Sequence, residues 1–273
     1  DLTYSLQNIQ VIWAIGWCMV CLSGLIHLKP SFLLAFGLLL ISGHHLLDSI
    51  VMEGTGIKSV IWYVLHQKSF LVFGSLKMVG IYYPLIPWVG VMALGYLFGQ
   101  FYTKDFDFAQ RKKILLYLGS TCLALFFVLR GINVYGDPNP WVVQESMVKT
   151  LYTFFDVNKY PPSLLFLLIT LGPAFLALAG LEKLETRING FFLVFGRVPF
   201  FYYFLHMIVI HGLALVVLVI NGKDWTVMII NAENLQSGKL LQYGYPLWVV
   251  YAVWLGVVAA LYPISRHYMR YKA

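Results

Sequence analysis

The sequence predicts an all-α protein, a polytopic transmembrane helix bundle of about seven spans. Three observations support this fold class. Of the 273 residues, 60% are hydrophobic and only 11% are charged, whereas soluble globular domains carry about 25% charged residues. The mean hydropathy of +0.75 indicates more apolar surface than a globule of this size can bury. The apolar residues also fall into stretches of about 20, the length that crosses a bilayer as a helix. An ordinary cytosolic enzyme is therefore excluded.

Seven apolar segments meet this length criterion, and polar or Pro/Gly-marked breaks separate them. The segments are helical because backbone groups in hydrocarbon must be hydrogen-bonded within their own segment. The predicted spans are 9–28, 31–48, 82–101, 114–130, 161–182, 198–220 and 246–265. The second span is short and ends in His44, His45 and Asp48, so we expect it to bend or to meet water.

Positive charge predicts the orientation. The short connections and the C-terminal tail hold ten Lys and Arg in about thirty residues, a density typical of cytoplasmic loops. The long segments 49–77, 131–160 and 221–245 hold seven in about ninety, so they are predicted to face the periplasm or an organelle lumen, with the C-terminus cytoplasmic. The net charge of +7 does not indicate a nucleic-acid partner, because the basic residues are scattered between apolar runs.

Small residues inside the spans have ordinary packing explanations. Gly95 and Gly99 form a G-x-x-x-G spacing that favours close helix approach. Cys18, Cys21 and Cys122 all lie in apolar stretches, so we expect small hydrophobic side chains and not a disulfide framework. The sequence starts at Asp1 and runs directly toward a span, so we expect further sequence upstream.

The first candidate site is the polar end of the second span. His44 and Asp48 are four residues apart and share a face if the segment is α-helical. A carboxylate beside an imidazole can fix its tautomer and raise its basicity, which makes both residues catalytic candidates for a general base. An interfacial polar cap is the alternative. No metal is expected, because two His and one Asp without further ligands seldom define a metal site.

The second candidate is His206, which lies near the middle of the sixth span with Tyr202 one turn below it. A histidine at this depth faces the bundle interior or a hydrated cavity. We therefore include His206 among the catalytic candidates, with a hydrogen bond between helices as the alternative.

The third candidate is external and comprises segments 129–141 and 154–163, which are rich in turn formers, Asp, Asn, Trp and Tyr. Such segments bind polar ligands such as sugars. The substrate-binding candidates are Arg130, Asn133, Asp137, Trp141 and Lys159. The alternatives are an ordered cap without a ligand and a structural salt bridge from Arg130 to Asp137 or Asp156.

The fourth candidate is cytoplasmic and comprises Arg111, Lys112, Lys113 and Arg197. Positive-inside anchoring explains these residues. If a phosphorylated donor binds from the cytosol, the same groups are where its phosphates would bind.

Five strings that cover most of the chain carry a family resemblance. They are QVIWAIGW at 10–17, YPLIPWVGVMALGY at 83–96, LRGINVYGDPNPW at 129–141, KYPPSLLFLLITLGPA at 159–174 and FGRVPFFYYFLH at 195–206. Together they resemble bacterial membrane proteins of the heparan-alpha-glucosaminide N-acetyltransferase catalytic-domain family, a branch largely described as a domain of unknown function.

The resemblance implies a membrane-bound acyltransferase of the bacterial inner membrane that moves an acetyl group from cytosolic acetyl-CoA to an amino sugar or similar acceptor outside. The acceptor is a carbohydrate or a lipid-linked molecule, and a homo-oligomer is left open. Residues 1–273 would form one transmembrane acyltransferase-like domain, the C-terminal portion of the family pattern. His206 and the 129–141 segment match family motifs. The upstream Arg/Asp/Arg-Gly element and the histidine credited with catalysis in the family are not in this sequence.

Two other function classes compete with the enzyme. A transporter or flippase for a polar or lipid-linked small molecule would show an internally repeated span pattern, and no convincing repeat is found. The other alternative is a non-catalytic assembly or sensor protein.

The orientation is tested by single-cysteine labelling in intact cells. We expect Asn139→Cys to react with a membrane-impermeant maleimide and Lys112→Cys to stay unlabelled, because Lys/Arg density separates the two loop classes. Permeabilised cells provide the control in which both positions react. Labelling of position 112 but not of position 139 in intact cells would show that the predicted orientation is wrong.

Overall fold

Helices form most of the described part of the chain. The computed structural model describes residues 5–74, 77–182, 187–229, 231, 234 and 244–272. Its helices are α1 (Val11–Leu25), α2 (Pro30–Gly43), α3 (Ile57–Leu65), α4 (Leu85–Gly99), α5 (Phe108–Ile132), α6 (Met147–Phe155), α7 (Leu164–Leu181), α8 (Arg187–Arg197), α9 (Pro199–Ile220) and α10 (Leu247–Lys272). Short 3-10 turns extend α2 over His44–Leu47 and α4 over Gln100–Tyr102. The predicted polytopic helical fold class is confirmed.

Six helical segments of the described chain are long and apolar enough to cross a membrane. They are Pro30–Leu47, Leu85–Tyr102, Phe108–Ile132, Leu164–Leu181, Pro199–Ile220 and Leu247–Lys272. The first predicted span, 9–28, differs from the expectation, because α1 has only 15 residues. Its length of about 22 Å is less than the hydrocarbon thickness of about 30 Å. The chain before α1 is extended, which shortens the helix at its N-terminal end.

A small β-sheet was not expected from the sequence. Its strands are β1 (Leu6–Ile9), β2 (Ser69–Phe73) and β3 (Lys77–Ile81), in the order β1-β3-β2. Strands β2 and β3 pair antiparallel, with Ser69 opposite Ile81 and Phe73 opposite Lys77. These strands are too short to meet a 20-residue window, so a search for spans assigns them to a loop.

The chain divides into two compact units, one of residues 7–182 and one of residues 1–6 with 183–273. Within the larger unit, α5 packs on α7 and α4 packs on both α1 and α2. Within the smaller unit, α10 packs on α8 and α9, and the rings of Phe201 and Tyr268 stack 4.2 Å apart. Lys183 and much of the predicted external segment 221–245 lie outside the described residues. One domain over 1–273 stays a prediction.

Glycines bring two helix pairs close together. A Cβ on Gly119 in α5 would lie 2.9 Å from the carbonyl oxygen of Gly172 in α7. A Cβ on Gly90 in α4 would lie 3.0 Å from the carbonyl oxygen of Gly37 in α2. By contrast, a Cβ on Gly95 or Gly99 meets no described atom within 4 Å. The close helix approach predicted for Gly95 and Gly99 is made by other glycines. The spacing of two glycines does not determine whether their side of the helix faces a neighbouring helix.

We expect Gly119→Ala to destabilise the protein by about 1–3 kcal/mol, because the added methyl group overpacks the α5–α7 contact. Gly95→Ala is the matched control, and it should be neutral or slightly stabilising since alanine favours helix. Thermal unfolding of both variants in detergent micelles measures the difference. Equal unfolding temperatures for the two variants would contradict the close approach.

Candidate functional site

Three histidines and one aspartate meet at the end of α2. His44 and His45 belong to the 3-10 turn that follows α2, and Asp48 ends that turn. His66 follows the last residue of α3. His44 and His66 are only 2% and 3% exposed. The structure thus adds His66, which the sequence analysis missed, to the predicted pair of His44 and Asp48.

Asp48 pairs with different histidines from the one predicted. Its Oδ2 lies 2.7 Å from Nδ1 of His45, and its Oδ1 lies 3.0 Å from Nε2 of His66. The predicted pairing of His44 with Asp48 assumed an α-helix, in which residues four apart share a face. In a 3-10 turn residues three apart are aligned. His45 therefore faces the carboxylate.

The tautomer of His45 follows from its two partners. The backbone N–H of Leu164, the first residue of α7, donates to Nε2 of His45 over 3.0 Å. Nε2 therefore carries the lone pair, and the proton of the neutral ring resides on Nδ1, which donates to Asp48. His45 satisfies a free N–H at the start of α7 and has no nitrogen left to act as a base.

His44 and His66 keep unused ring nitrogens. Since a carboxylate only accepts, Nε2 of His66 donates to Asp48, and the buried Nδ1 has no hydrogen-bond partner in the described chain. Neither ring nitrogen of His44 meets hydrogen-bond geometry, although the Pro162 carbonyl lies near the ring. The His44 ring centroid is 4.1 Å from that of His45 and 5.6 Å from that of His66. The cluster thus offers unpaired buried imidazole groups to a polar ligand.

The carboxyl group of Asp48 stays ionised. Burial raises its pKa, but the hydrogen bonds from His45 and His66 outweigh burial and place the pKa well below its usual value. An ionised carboxylate between two imidazoles orients both rings and stabilises a positive charge on His66.

The donor set does not fit a metal ion. Ligand atoms of His44, His45 and Asp48 lie within 4.8 Å of one another. A metal on Nδ1 of His45 would require the ring proton to be on Nε2. That proton would face the N–H of Leu164 and break the bond to α7. The expectation of no metal stays a prediction.

From the end of α5, Arg130 organises the segment 131–160, which is predicted to be external. The side chain is 1% exposed and donates four hydrogen bonds, to the carbonyl oxygens of Asn139, Thr153, Phe154 and Asp156 at 2.8–3.0 Å. The alternative of a salt bridge to Asp137 or Asp156 is not formed, because backbone carbonyls take the place of the carboxylate. The guanidinium group is thereby used in hydrogen bonds within the protein.

Three of the other predicted substrate-binding residues of this segment are also hydrogen-bonded internally. Asn133, a left-handed residue with φ 58°, exchanges two hydrogen bonds with the backbone of Trp141. The indole N–H of Trp141 donates to the carbonyl of Arg130. Asp137 accepts from the backbone N–H groups of Asn139 and Asn158. Lys159 is exposed, with its Nζ 5.2 Å from the ring centroid of Tyr160.

The external segment contacts the histidine cluster. The hydroxyl of Tyr135 donates to the carbonyl of Ser42, and its ring lies edge-on to His45 at 5.8 Å. The N–H of Leu165 donates to the carbonyl of Gly136 over 3.0 Å. The first and third candidate regions, 43–48 and 129–141, are therefore neighbours in the larger unit.

The predicted cytoplasmic residues have different surroundings. Arg111 forms a largely buried ion pair with Glu182 and donates to the carbonyls of Phe101 and Phe106. Lys112 and Lys113 are exposed. Arg197 is the exposed last residue of α8. Donor binding by these groups stays a prediction.

His206 belongs to the smaller unit. It is half-buried in α9, its Nδ1 donates to the carbonyl of Tyr202 over 3.1 Å, and its ring stacks on the Tyr202 ring with centroids 5.3 Å apart. One ring nitrogen is thus used within the helix. A catalytic role for His206 stays a prediction.

The spans and the buried histidine–aspartate cluster define an integral membrane protein with a candidate proton-transfer site. Residues 6–132 match the family described as heparan-alpha-glucosaminide N-acetyltransferase, catalytic. This match supports the family resemblance found in the sequence, and the matched segment includes the whole histidine cluster and Arg130. Comparisons with curated proteins and with solved structures found no match.

We expect Arg130→Lys to loosen the segment 131–160, because an ammonium group cannot reach four carbonyl oxygens and buried acceptors lose their partners. The cost should be about 2–4 kcal/mol, with faster proteolysis between 133 and 158. Limited proteolysis and thermal unfolding measure both effects. Lys149→Gln removes the exposed pair with Glu145 and serves as the control, which should change little. Unchanged protease resistance in Arg130→Lys would contradict the role of Arg130.

Proposed function

We propose that this protein is a membrane-bound acyltransferase that moves an acetyl group from cytosolic acetyl-CoA to an amino sugar or similar acceptor on the outer side. The family match supports acetyltransferase-type activity. The observation that carries the proposal is His66, a buried imidazole that Asp48 orients through Nε2 and whose Nδ1 has no partner among the described residues.

Amine acetylation needs a base, and His66 fits this role. Its Nδ1 takes a proton from the acceptor amine as the amine nitrogen attacks the carbonyl carbon of the thioester. A C–N bond forms, the C–S bond breaks, and the proton passes from His66 to the leaving thiolate of coenzyme A. Asp48 stabilises the imidazolium between these two steps and acts as a positioning residue for His66.

Acyl transfer also requires a group that stabilises the oxyanion, and we propose His44 for this role. The tetrahedral intermediate carries negative charge on the former carbonyl oxygen, and a hydrogen-bond donor in a dry site stabilises that charge strongly. A neutral imidazole always carries one N–H, and the N–H of His44 is buried without a partner in hydrogen-bond geometry. We assign this N–H to the oxyanion.

Binding of the two substrates involves different groups. Exposed Lys112 and Lys113 are the proposed contacts for the donor phosphates, and Arg111 supports them through its pair with Glu182. Lys159 is the proposed contact for the acceptor. Arg130, Asn133, Asp137 and Trp141 shape the segment that carries Lys159.

The transporter or flippase is not favoured, because the matched family is that of an acetyltransferase catalytic domain. His206 remains a second candidate for the base. The two candidates are separated by variants in one transfer assay.

Acetyl transfer is measured with radiolabelled acetyl-CoA and glucosamine, using the full-length protein in proteoliposomes. We expect His66→Ala to lower kcat by about 10²-fold or more with little change in the KM for acetyl-CoA, because a base acts in the chemical step. His66→Gln keeps a hydrogen bond to Asp48 but accepts no proton, so it should be equally slow. Asp48→Asn should lower kcat less than His66→Ala.

His27→Ala is the matched control, since His27 is exposed in the same unit, and it should retain full activity. Full turnover of correctly folded His66→Ala would exclude His66 as the base. A comparable loss in His206→Ala with an active His66→Ala would transfer the role to His206. No acetyl transfer by the unmodified protein to glucosamine or to other amino sugars would contradict the proposed function.

A further inference from the structure

An apolar stripe runs along the outside of α6. Val148, Leu151, Tyr152 and Phe155 follow the i, i+3, i+4, i+7 spacing of one helix face. Their exposed fractions are 56%, 45%, 71% and 48%. The opposite side of α6 is used for packing, since Thr150, Thr153 and Phe154 are all partly buried. The stripe is therefore the exposed face of an amphipathic helix. At its C-terminal end Phe155 also packs against α5, and about half of its surface stays exposed.

The depth of α6 in the membrane follows from its contacts with α5. Arg130, close to the end of this spanning helix, donates to the carbonyls of Thr153 and Phe154 in the last turn of α6. The ring of Phe155 stacks on that of Phe126 at 6.1 Å, and the ring of Phe154 stacks on that of Phe127 at 6.3 Å. Phe127 is five residues before the end of α5, or about 8 Å along the axis. The C-terminal end of α6 thus lies below the outer end of a membrane span.

The stripe continues an apolar surface that already faces lipid. Phe127, Val128 and Ile132 are at least half exposed on α5, a spanning helix. The C-terminal end of the stripe lies beside Phe127, since the rings of Phe127 and Phe155 meet at 6.4 Å, and Val143 and Met147 before the stripe are also exposed. Isolated exposed apolar residues are common, but a continuous patch next to the lipid-facing side of a span indicates a shared apolar partner.

The charged residues beside the stripe indicate which part of the bilayer it contacts. The charged residues next to the stripe, Glu145 and Lys149, form an exposed ion pair at 3.1 Å and neutralise each other. A helix that binds anionic headgroups carries an excess of Lys and Arg on its polar face. The contact is therefore made with the acyl boundary of the bilayer and does not require anionic lipid.

We propose that α6 is an interfacial helix that lies in the outer leaflet, with Val148, Leu151, Tyr152 and Phe155 inserted among the lipid chains. The helix holds the external segment 131–160 at the membrane surface beside the histidine cluster. This inference concerns a lipid contact and does not rest on the acyltransferase reaction, so either can fail without the other.

Nitroxide accessibility tests the proposal. The full chain, with Cys18, Cys21 and Cys122 replaced by alanine, receives a spin label at Tyr152→Cys, at Val148→Cys or at Lys149→Cys and is reconstituted in phosphatidylcholine liposomes. Oxygen collects in lipid, whereas a nickel chelate stays in water. We expect the ratio of oxygen to nickel collisions at 148 and 152 to exceed that at 149 by about threefold or more, because 149 lies off the inserted face.

Each other outcome overturns the proposal. Nickel access at 148 and 152 equal to that at 149 would place the stripe in water. Low access to both reagents would show that protein, such as a second copy of the chain, covers the stripe. Adding phosphatidylglycerol should leave the ratios unchanged, and a ratio that depends on anionic lipid would contradict the apolar contact.

Discussion

The buried guanidinium group of Arg130 is the interaction on which the segment 131–160 of the larger unit depends. Four backbone carbonyls from residues 139–156 converge on it at the end of a spanning helix. At this depth water is scarce, and unpaired carbonyl groups would be costly. One side chain therefore satisfies four carbonyl groups, two of them in the last turn of α6, and closes the segment over the end of α5. Trp141 and Asn133 strengthen the same closure.

The chemistry of the histidine cluster depends on this closure. The segment held by Arg130 leads into α7, whose first N–H binds His45, and it carries Tyr135 to the carbonyl of Ser42. Because His45 is held as a neutral donor, Asp48 has a defined partner on one oxygen and orients His66 with the other. The three histidines consequently have different roles. His45 is a structural capping residue, and His44 and His66 retain nitrogens for a ligand.

The structure brings His44, His45 and Asp48 together, as the sequence pattern suggested, but with a different pairing. His44, His45 and Asp48 were recognised because ionisable groups at the end of a span are costly and need a reason. Their pairing was assigned on an α-helical face, and the 3-10 turn changed it. His66 was missed because it is a single polar residue after a short helix, in a region taken for a loop. Arg130 was recognised, but a charge-based argument gives it a carboxylate partner, and only a folded chain shows the carbonyls.

The sequence by itself determined that this is a helical membrane protein, and its motif strings indicated a resemblance to one family. Both follow from local information, since span length, hydropathy and motif strings need no knowledge of neighbours. Tertiary structure alone decided that Asp48 binds His66, that Gly119 meets Gly172 and that α6 lies against α5. These contacts join residues 18, 53 and about 27 positions apart. The periodic spacing of hydrophobic residues in the sequence does not predict such pairings, because they depend on which helix faces pack together and how far each helix extends.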